Sequence, residues 1–129
     1  MEEQRQIFLH GPLGQRHLRE ILSAQFSGLI LYPELIWLIS PWMSDFDVID
    51  NRGGQWSFLD PSWGARMISF QELLATAVNN GCPLRIVTRK DTHSVVFIER
   101  LLMRLSPDHD MQYLYHENLH AKGLLTKPF

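Results

Sequence analysis

The middle of the chain constrains the fold most, because it alternates an amphipathic helix, a short apolar strand and a second amphipathic helix. The segment SFQELLATAVNNG opens with Ser69 and Glu72 in an S-x-x-E capping box and carries apolar residues at helical spacing. LRIVT then predicts a strand, and HSVVFIERLLMRL predicts a helix that Asp91 or Thr92 can cap. A strand between two such helices is typical of an α/β fold.

The flanking segments extend the same pattern. LGQRHLREILSAQF predicts a first helix, and the continuous apolar run from Leu35 to Ile39 predicts a strand that is buried on both faces. MQYLYH and LHAKGLLT predict two further strands. With 129 residues, the chain has the length of one domain. We therefore expect a single α/β domain over 1–129, with a mixed, mostly parallel sheet flanked by helices.

A long aromatic-rich segment over about 41–67 interrupts this alternation. It contains the turn signals NRGG and DP and shows no clear period, so we expect a loop. Loops of this length are uncommon in compact domains unless they have a function or join an interface. Its tryptophans could stack bases, lie in a dimer interface or fill a satellite core; they are Trp42, Trp56 and Trp63.

Composition narrows the environment of the chain. Cys82 is the single cysteine, which excludes an intrachain disulfide and is typical of a reducing cytoplasm. No apolar run reaches the roughly 18 residues that a membrane span needs, so we expect a cytoplasmic protein without a membrane. The formal net charge of -2 is uninformative by itself, although a dedicated nucleic-acid coat is usually strongly basic. A polyanion would need a local cluster, for which Arg89 and Lys90 are candidates, with ordinary surface charge as the alternative.

Two residues in the last predicted strand carry the most specific chemistry. Because residues two apart on a strand project to the same face, His120 and Lys122 in LHAKGLL should point together. An imidazole can act as a nucleophile or as a general acid and base, and a neighbouring ammonium can hold phosphoryl oxygens. The pair therefore suits phosphate ester chemistry, whereas the alternative is an edge pair that points to solvent.

The pair and its context resemble the phospholipase D-like superfamily, whose signature is H-x-K-x-x-x-x-D on a strand. HAK at 120–122 matches the start of that signature, and the order of elements over about 14–127 is similar to that of the family. ISPWMSD and LHAKGLLT also resemble the small phospholipase D-like proteins of bacterial DNA 7-deazapurine modification and phage-defence clusters.

This resemblance implies a metal-independent phosphodiesterase or nuclease that acts on DNA or another nucleic acid and needs no cofactor. His120 would be the nucleophile that forms a phosphohistidine, and Lys122 would bind the phosphate. Because the chain carries one H-x-K, the resemblance implies a homodimer in which a second copy supplies the other histidine. Other proteins of a modification or defence cluster are further expected partners.

The sequence departs from the family signature at two points. Lys127 stands where the family has Asp, and the chain stops at Phe129, before the Gly-Ser-x-Asn segment that the family places on the next strand. We expect a C-terminally truncated domain whose last strand is an exposed edge. The first alternative to an active phosphodiesterase is a catalytically inactive subunit that binds DNA or acts as a scaffold. The second alternative is a lipid phosphodiesterase.

Two clusters offer metal ligands, but their spacing does not favour a site. His116, Glu117 and His120 have helical spacing in a segment that predicts strand and turn, so their side chains should not converge. No glycine-spaced calcium loop surrounds the aspartates of the long loop, which are Asp45, Asp47 and Asp50. We expect no metal in either place.

Overall fold

The computed structural model describes residues 5–7, 15–120 and 122–126. Within these ranges the helices are α1 (Gln15–Leu31), α2 (Phe70–Asn79) and α3 (Thr92–Arg104). The strands are β1 (Arg5–Ile7), β2 (Ile36–Ile39), β3 (Asp47–Asp50), β4 (Met67–Ser69), β5 (Leu84–Thr88), β6 (Met111–Tyr115) and β7 (Gly123–Thr126). The prediction of an α/β fold is confirmed. No helix in these ranges combines the length and the apolar character that a membrane crossing needs.

Five strands form the main sheet, in the order β1-β7-β2-β5-β6. β2, β5 and β6 are parallel, so their carboxyl ends lie at one edge of the sheet. β7 is antiparallel to both of its neighbours, β1 and β2. Its first residue, Gly123, therefore lies at that same edge, opposite Ile39 at the end of β2. The residues that lead into β7 therefore lie beside the carboxyl ends of the parallel strands.

The helices share one core on one face of this sheet. That face carries Leu38 and Ile86, which are at most 1% exposed. The ring of Phe70 in α2 lies 6.0 Å from that of Phe26 in α1 and 6.5 Å from that of Phe97 in α3. Since side chains alternate along a strand, the neighbouring residues of β2 and β5 project to the other face. That face is partly exposed and includes two large apolar side chains, Trp37 and Leu114.

The segment predicted as a loop contains a second sheet. β3 pairs with β4 in antiparallel register, with Ile49 opposite Ile68, and both side chains are buried. The prediction of irregular chain is therefore wrong over Asp47–Asp50. The two strands have four and three residues, which is too short for an alternating pattern to be recognised in the sequence.

Between β3 and β4, the buried side chain of Asn51 organises the chain. Its Nδ2 atom donates to Oγ of Ser57 over 3.1 Å and to the carbonyl oxygen of Gly64 over 2.8 Å. Its Oδ1 atom accepts the backbone N–H of Trp56 over 2.8 Å. Trp63 is 3% exposed and packs in the core against α2. For Trp63, the satellite-core alternative is the one that the structure supports.

The last strand differs from its prediction in two respects. β7 begins at Gly123, so His120 and Lys122 both precede it. The strand period, from which we predicted that the two side chains point together, therefore does not apply to them. β7 also lies between β1 and β2, so the expectation that it forms an exposed edge is wrong. The edges of the described sheet are β1 and β6. Lys127, the departure from the family signature, lies outside the described residues.

Candidate functional site

The exposed ring of Trp42 is the centre of a cluster of basic side chains. Cζ of Arg89 lies 5.8 Å from the ring centroid, and Nζ of Lys122 lies 5.9 Å from it. Both distances fall within the range of a cation–π interaction, which extends to about 6 Å. The tryptophan is 60% exposed, so this contact is at the surface. One ring thus brings together the segment after β2, the end of β5 and the segment before β7.

Arg89 joins this ring to His120. Its Nε atom donates to the carbonyl oxygen of Leu119 over 2.8 Å, and its Nη2 atom lies 3.0 Å from Nδ1 of His120. A guanidinium is a rigid planar fork, so contacts with a carbonyl, an imidazole and an indole fix its orientation. We call Trp42, Arg89, His120 and Lys122 the Trp42 cluster.

Backbone hydrogen bonds explain why these segments meet. The N–H of Ser40 donates to the carbonyl oxygen of Val87 over 3.0 Å, and the N–H of Arg89 donates to that of Pro41 over 3.4 Å. The β2 and β5 segments therefore remain joined beyond the ends of both strands. The hydroxyl of Ser40 donates to the carbonyl oxygen of Trp42 over 2.5 Å, which closes a tight turn. This turn holds the indole beside the end of β5.

Lys90 lies apart from the Trp42 cluster. Its Nζ atom is 6.0 Å from the ring centroid of Tyr115, which belongs to β6. The chain turns at Lys90, where the N–H of Asp91 donates to the carbonyl oxygen of Arg89 over 3.1 Å, and this turn separates Lys90 from Arg89. Of the four predicted site residues, the structure brings together Arg89, His120 and Lys122, and it places Lys90 on a tyrosine.

The Trp42 cluster concentrates positive charge. In the part of the chain that the structure describes, Arg89, Lys90 and Lys122 form no ion pair with a carboxylate. Arg85, only four residues earlier, is neutralised by contrast, because its Nη1 atom lies 2.9 Å from Oδ1 of Asp110. A chain with a formal net charge of -2 therefore has a local cationic surface at the carboxyl edge of its sheet. Polyanion contact depends on such a local surface rather than on total charge.

Other residues singled out in the sequence have structural roles. Trp56 is half-buried and Trp63 is buried, whereas Trp42 is well exposed. The thiol of Cys82 is buried and donates to the carbonyl oxygen of Leu29 over 3.3 Å. Burial raises the pKa of this thiol, which disfavours the reactive thiolate.

Two of the three loop aspartates, Asp45 and Asp50, form hydrogen bonds within the protein. Oδ1 of Asp45 accepts the N–H of Gln71, in the first turn of α2, over 2.8 Å. Asp50 accepts three hydrogen bonds from Arg52, two from the guanidinium over 2.9 and 2.7 Å and one from the backbone N–H over 3.1 Å, and these lower the pKa of Asp50 to about 2. Among the described side chains, no group of three or more His, Cys, Asp or Glu is arranged to hold a metal ion. The expectation of a site without metal or cofactor stays a prediction.

A separate cavity of about 350 Å³ lies between the first turn of α2 and the length of α3. Its lining combines acidic and basic side chains, and these include Asp45, His93, Arg100 and Arg104. The predicted site residues do not line it. No sequence pattern indicates this cavity, because its lining comes from two helices and from the segment after β2.

No family model, curated protein or solved structure gives a match to this chain. The resemblance to the phospholipase D-like superfamily, and the activity that it implies, therefore stay predictions. The α/β fold and the Trp42 cluster do not depend on that resemblance, since they follow from strand pairing and side-chain contacts.

Proposed function

We propose that the Trp42 cluster binds the phosphodiester backbone of nucleic acid. The observation that carries the proposal is the position of Arg89 and Lys122 on one exposed tryptophan, with His120 held against Arg89. Guanidinium, ammonium and imidazole N–H groups all donate hydrogen bonds that phosphate oxygens accept. Ligands of α/β proteins collect outside the carboxyl ends of the parallel strands, which is where this cluster lies.

Trp42 extends the proposed site from the phosphate to the base. An indole that is 60% exposed offers a surface on which an unpaired base can stack. Stacking on an aromatic side chain contributes about 1–3 kcal/mol per base and tolerates any sequence. Because the bases of a duplex are already stacked on one another, this feature favours single-stranded nucleic acid.

Fluorescence anisotropy with a labelled oligothymidylate tests the proposal. We expect binding that weakens with salt, and we expect Lys122→Gln to reduce the slope of log K against log salt by about 0.7, the value for one lost phosphate contact on a single strand. Arg19→Gln is the control, since Arg19 is an exposed cation on α1 that forms no ion pair within the described ranges. Equal effects of both substitutions, or binding that does not respond to salt, would contradict a localised phosphate site.

The second candidate function is a metal-independent phosphodiesterase that acts as a homodimer. It is favoured by the exposure of the His120 imidazole within the cationic cluster. By resemblance to the phospholipase D-like superfamily, His120 would attack phosphorus and form a phosphohistidine, while the histidine of a second copy would protonate the leaving group. A bacterial DNA-modification or phage-defence system is the setting that this resemblance suggests.

Hydrolysis of bis(para-nitrophenyl) phosphate by the full chain tests the second candidate. We expect activity that persists in EDTA, elutes with a dimer in sizing chromatography and is lost in His120→Ala. His93→Ala is the control, because His93 is an exposed histidine outside the Trp42 cluster. Activity that EDTA abolishes and zinc restores, or activity that elutes with a monomer, would reject this candidate.

A further inference from the structure

We infer that Arg89 fixes His120 as the tautomer that carries its proton on Nε2, so that His120 serves the proposed phosphodiester site as a hydrogen-bond donor. Arginine has only N–H donors and no acceptor. Nη2 of Arg89 lies 3.0 Å from Nδ1 of His120, so Nδ1 has to accept this hydrogen bond and carries no proton. The neutral ring then keeps its single proton on Nε2.

Arg89 is held in this position by contacts that do not involve the imidazole. Its Nε atom donates to the carbonyl oxygen of Leu119, the residue before His120, and its guanidinium lies against the ring of Trp42. One guanidinium therefore fixes both the backbone next to the histidine and the ring itself. This makes Arg89 a positioning residue for His120.

Protonation of Nδ1 is incompatible with the observed contact. A proton there would face an N–H of Arg89, so that two donors would oppose each other without an acceptor. The contact therefore selects one of the two neutral tautomers of His120.

The inference rests on the proposed function and specifies how that site would recognise its ligand. Nε2–H of His120 and the cationic groups of Arg89 and Lys122 all donate, so the complementary ligand offers acceptors alone, as the oxygens of a phosphodiester do. Nucleophilic attack through Nε2 needs a lone pair on that atom. His120 could supply it only after its proton moved to Nδ1 and Arg89 moved away. The inferred tautomer thus favours phosphate binding over covalent catalysis by His120.

Long-range proton–nitrogen NMR correlation on the full chain tests the tautomer directly. At about pH 8.5, well above the ordinary histidine pKa of about 6.5, each ring nitrogen is read from its chemical shift as bare or protonated. The signals of His120 are those missing from His120→Gln. We expect a bare Nδ1 and a protonated Nε2. A protonated Nδ1, or the mixture of tautomers found in free histidine, would overturn the inference.

A pair of variants tests whether Arg89 is the cause. Arg89→Gln should return His120 to the mixture found in free histidine, whereas Lys90→Gln removes the same charge from the next residue, which contacts Tyr115, and should leave the His120 signals unchanged. Identical spectra for the two variants would refute the role of Arg89. Added oligothymidylate should shift the Nε2 signal in the wild type. If the Nε2 signal does not shift but still shows a protonated Nε2, the phosphodiester site is rejected and the tautomer is confirmed. Failure of the proposed function can thus be distinguished from failure of the inferred tautomer.

Discussion

Oγ of Ser94 lies 3.1 Å from Oγ1 of Thr88 and 3.1 Å from the backbone nitrogen of Met43. Thr88 ends β5, and Met43 follows Trp42. Both Ser94 and Thr88 are fully buried. One hydroxyl on α3 therefore ties together the two segments that carry the ring and the guanidinium of the Trp42 cluster.

Replacing this hydroxyl should destabilise the fold. Ser94→Ala removes the acceptor of the Met43 N–H, whereas the Thr88 hydroxyl keeps the carbonyl oxygen of Pro41. A buried donor without a partner costs about 1–3 kcal/mol. We expect a loss of about 2 kcal/mol in the free energy of unfolding, measured by urea denaturation. Ser44→Ala, at an exposed position, should change it by less than about 0.5 kcal/mol. Equal stability of the two variants would contradict this role of Ser94.

Asn51 should be the residue that orders the segment between β3 and β4. Asn51→Ala leaves the N–H of Trp56 without its acceptor and removes one of the two donors to the carbonyl oxygen of Gly64, which keeps the N–H of Arg66. Since Asn51 is fully buried, we expect a loss of about 2–3 kcal/mol in the free energy of unfolding and faster proteolytic cleavage within 52–64. Asn118→Ala, at an exposed turn, is the control, and its 52–64 segment should be cleaved at the wild-type rate. Wild-type protection in the Asn51 variant would show that other contacts order the segment.

Glu72 should make the stability of the fold sensitive to acid. Burial raises the pKa of Glu72, but the hydrogen bonds from Arg66 and from the N–H of Ser69, with the charge of Arg104, outweigh it and lower the pKa overall. A carboxylate with a lowered folded pKa stabilises the fold above its unfolded pKa, about 4.3 for Glu, and this contribution is lost as pH falls through the folded pKa.

The wild type should therefore lose more stability than Glu72→Gln between about pH 6 and pH 3, where the unfolded carboxylate titrates before the folded one. Urea midpoints at each pH measure this difference, and glutamine can still serve the capping box. Glu99→Gln removes an exposed carboxylate and serves as the control. A Glu72→Gln variant as acid-sensitive as the wild type would disprove the assignment.

Trp42 should contribute to the binding of single strands and little to the fold. Trp42→Ala removes one stacking surface, so we expect the dissociation constant for oligothymidylate to rise roughly fivefold to a hundredfold, corresponding to about 1–3 kcal/mol. Phe58→Ala is the matched control, since Phe58 is 65% exposed and lies in the segment between β3 and β4. A weaker effect of Trp42→Ala than of Phe58→Ala would exclude Trp42 from the binding surface.

The helices of this fold could be predicted because their signals are local. The capping box of α2 forms as expected, with the N–H of Ser69 donating to Oε2 of Glu72 over 2.8 Å. Asp91, one of the two predicted caps of α3, accepts the N–H of Ser94 over 2.8 Å. The antiparallel insertion of β7 between β1 and β2 could not be predicted, because a strand sequence does not specify a partner far away along the chain.

The residues of the site could be predicted better than their arrangement. The strand period suggested that His120 and Lys122 point together, but both precede β7, and they meet through Arg89 and Trp42 instead. The contact between Arg89 and His120 depends on the order of strands in the sheet. Arg89 and Lys90 were both predicted as polyanion contacts because they follow a predicted strand. The sequence could not show that only Arg89 would join the Trp42 cluster.

The pairing of Ile39 with Gly123 also sets a spacing rule. Trp42 lies three residues after Ile39, and His120 lies three residues before Gly123, so two short arms of equal length extend from one backbone pair. An insertion or deletion in either arm would move one partner of Arg89 away and leave the strand register unchanged. Distant relatives that retain this site can vary the segment between β3 and β4, but they should keep both arms. I-S-P-W together with H-x-K-G is therefore a two-part pattern by which such relatives could be found.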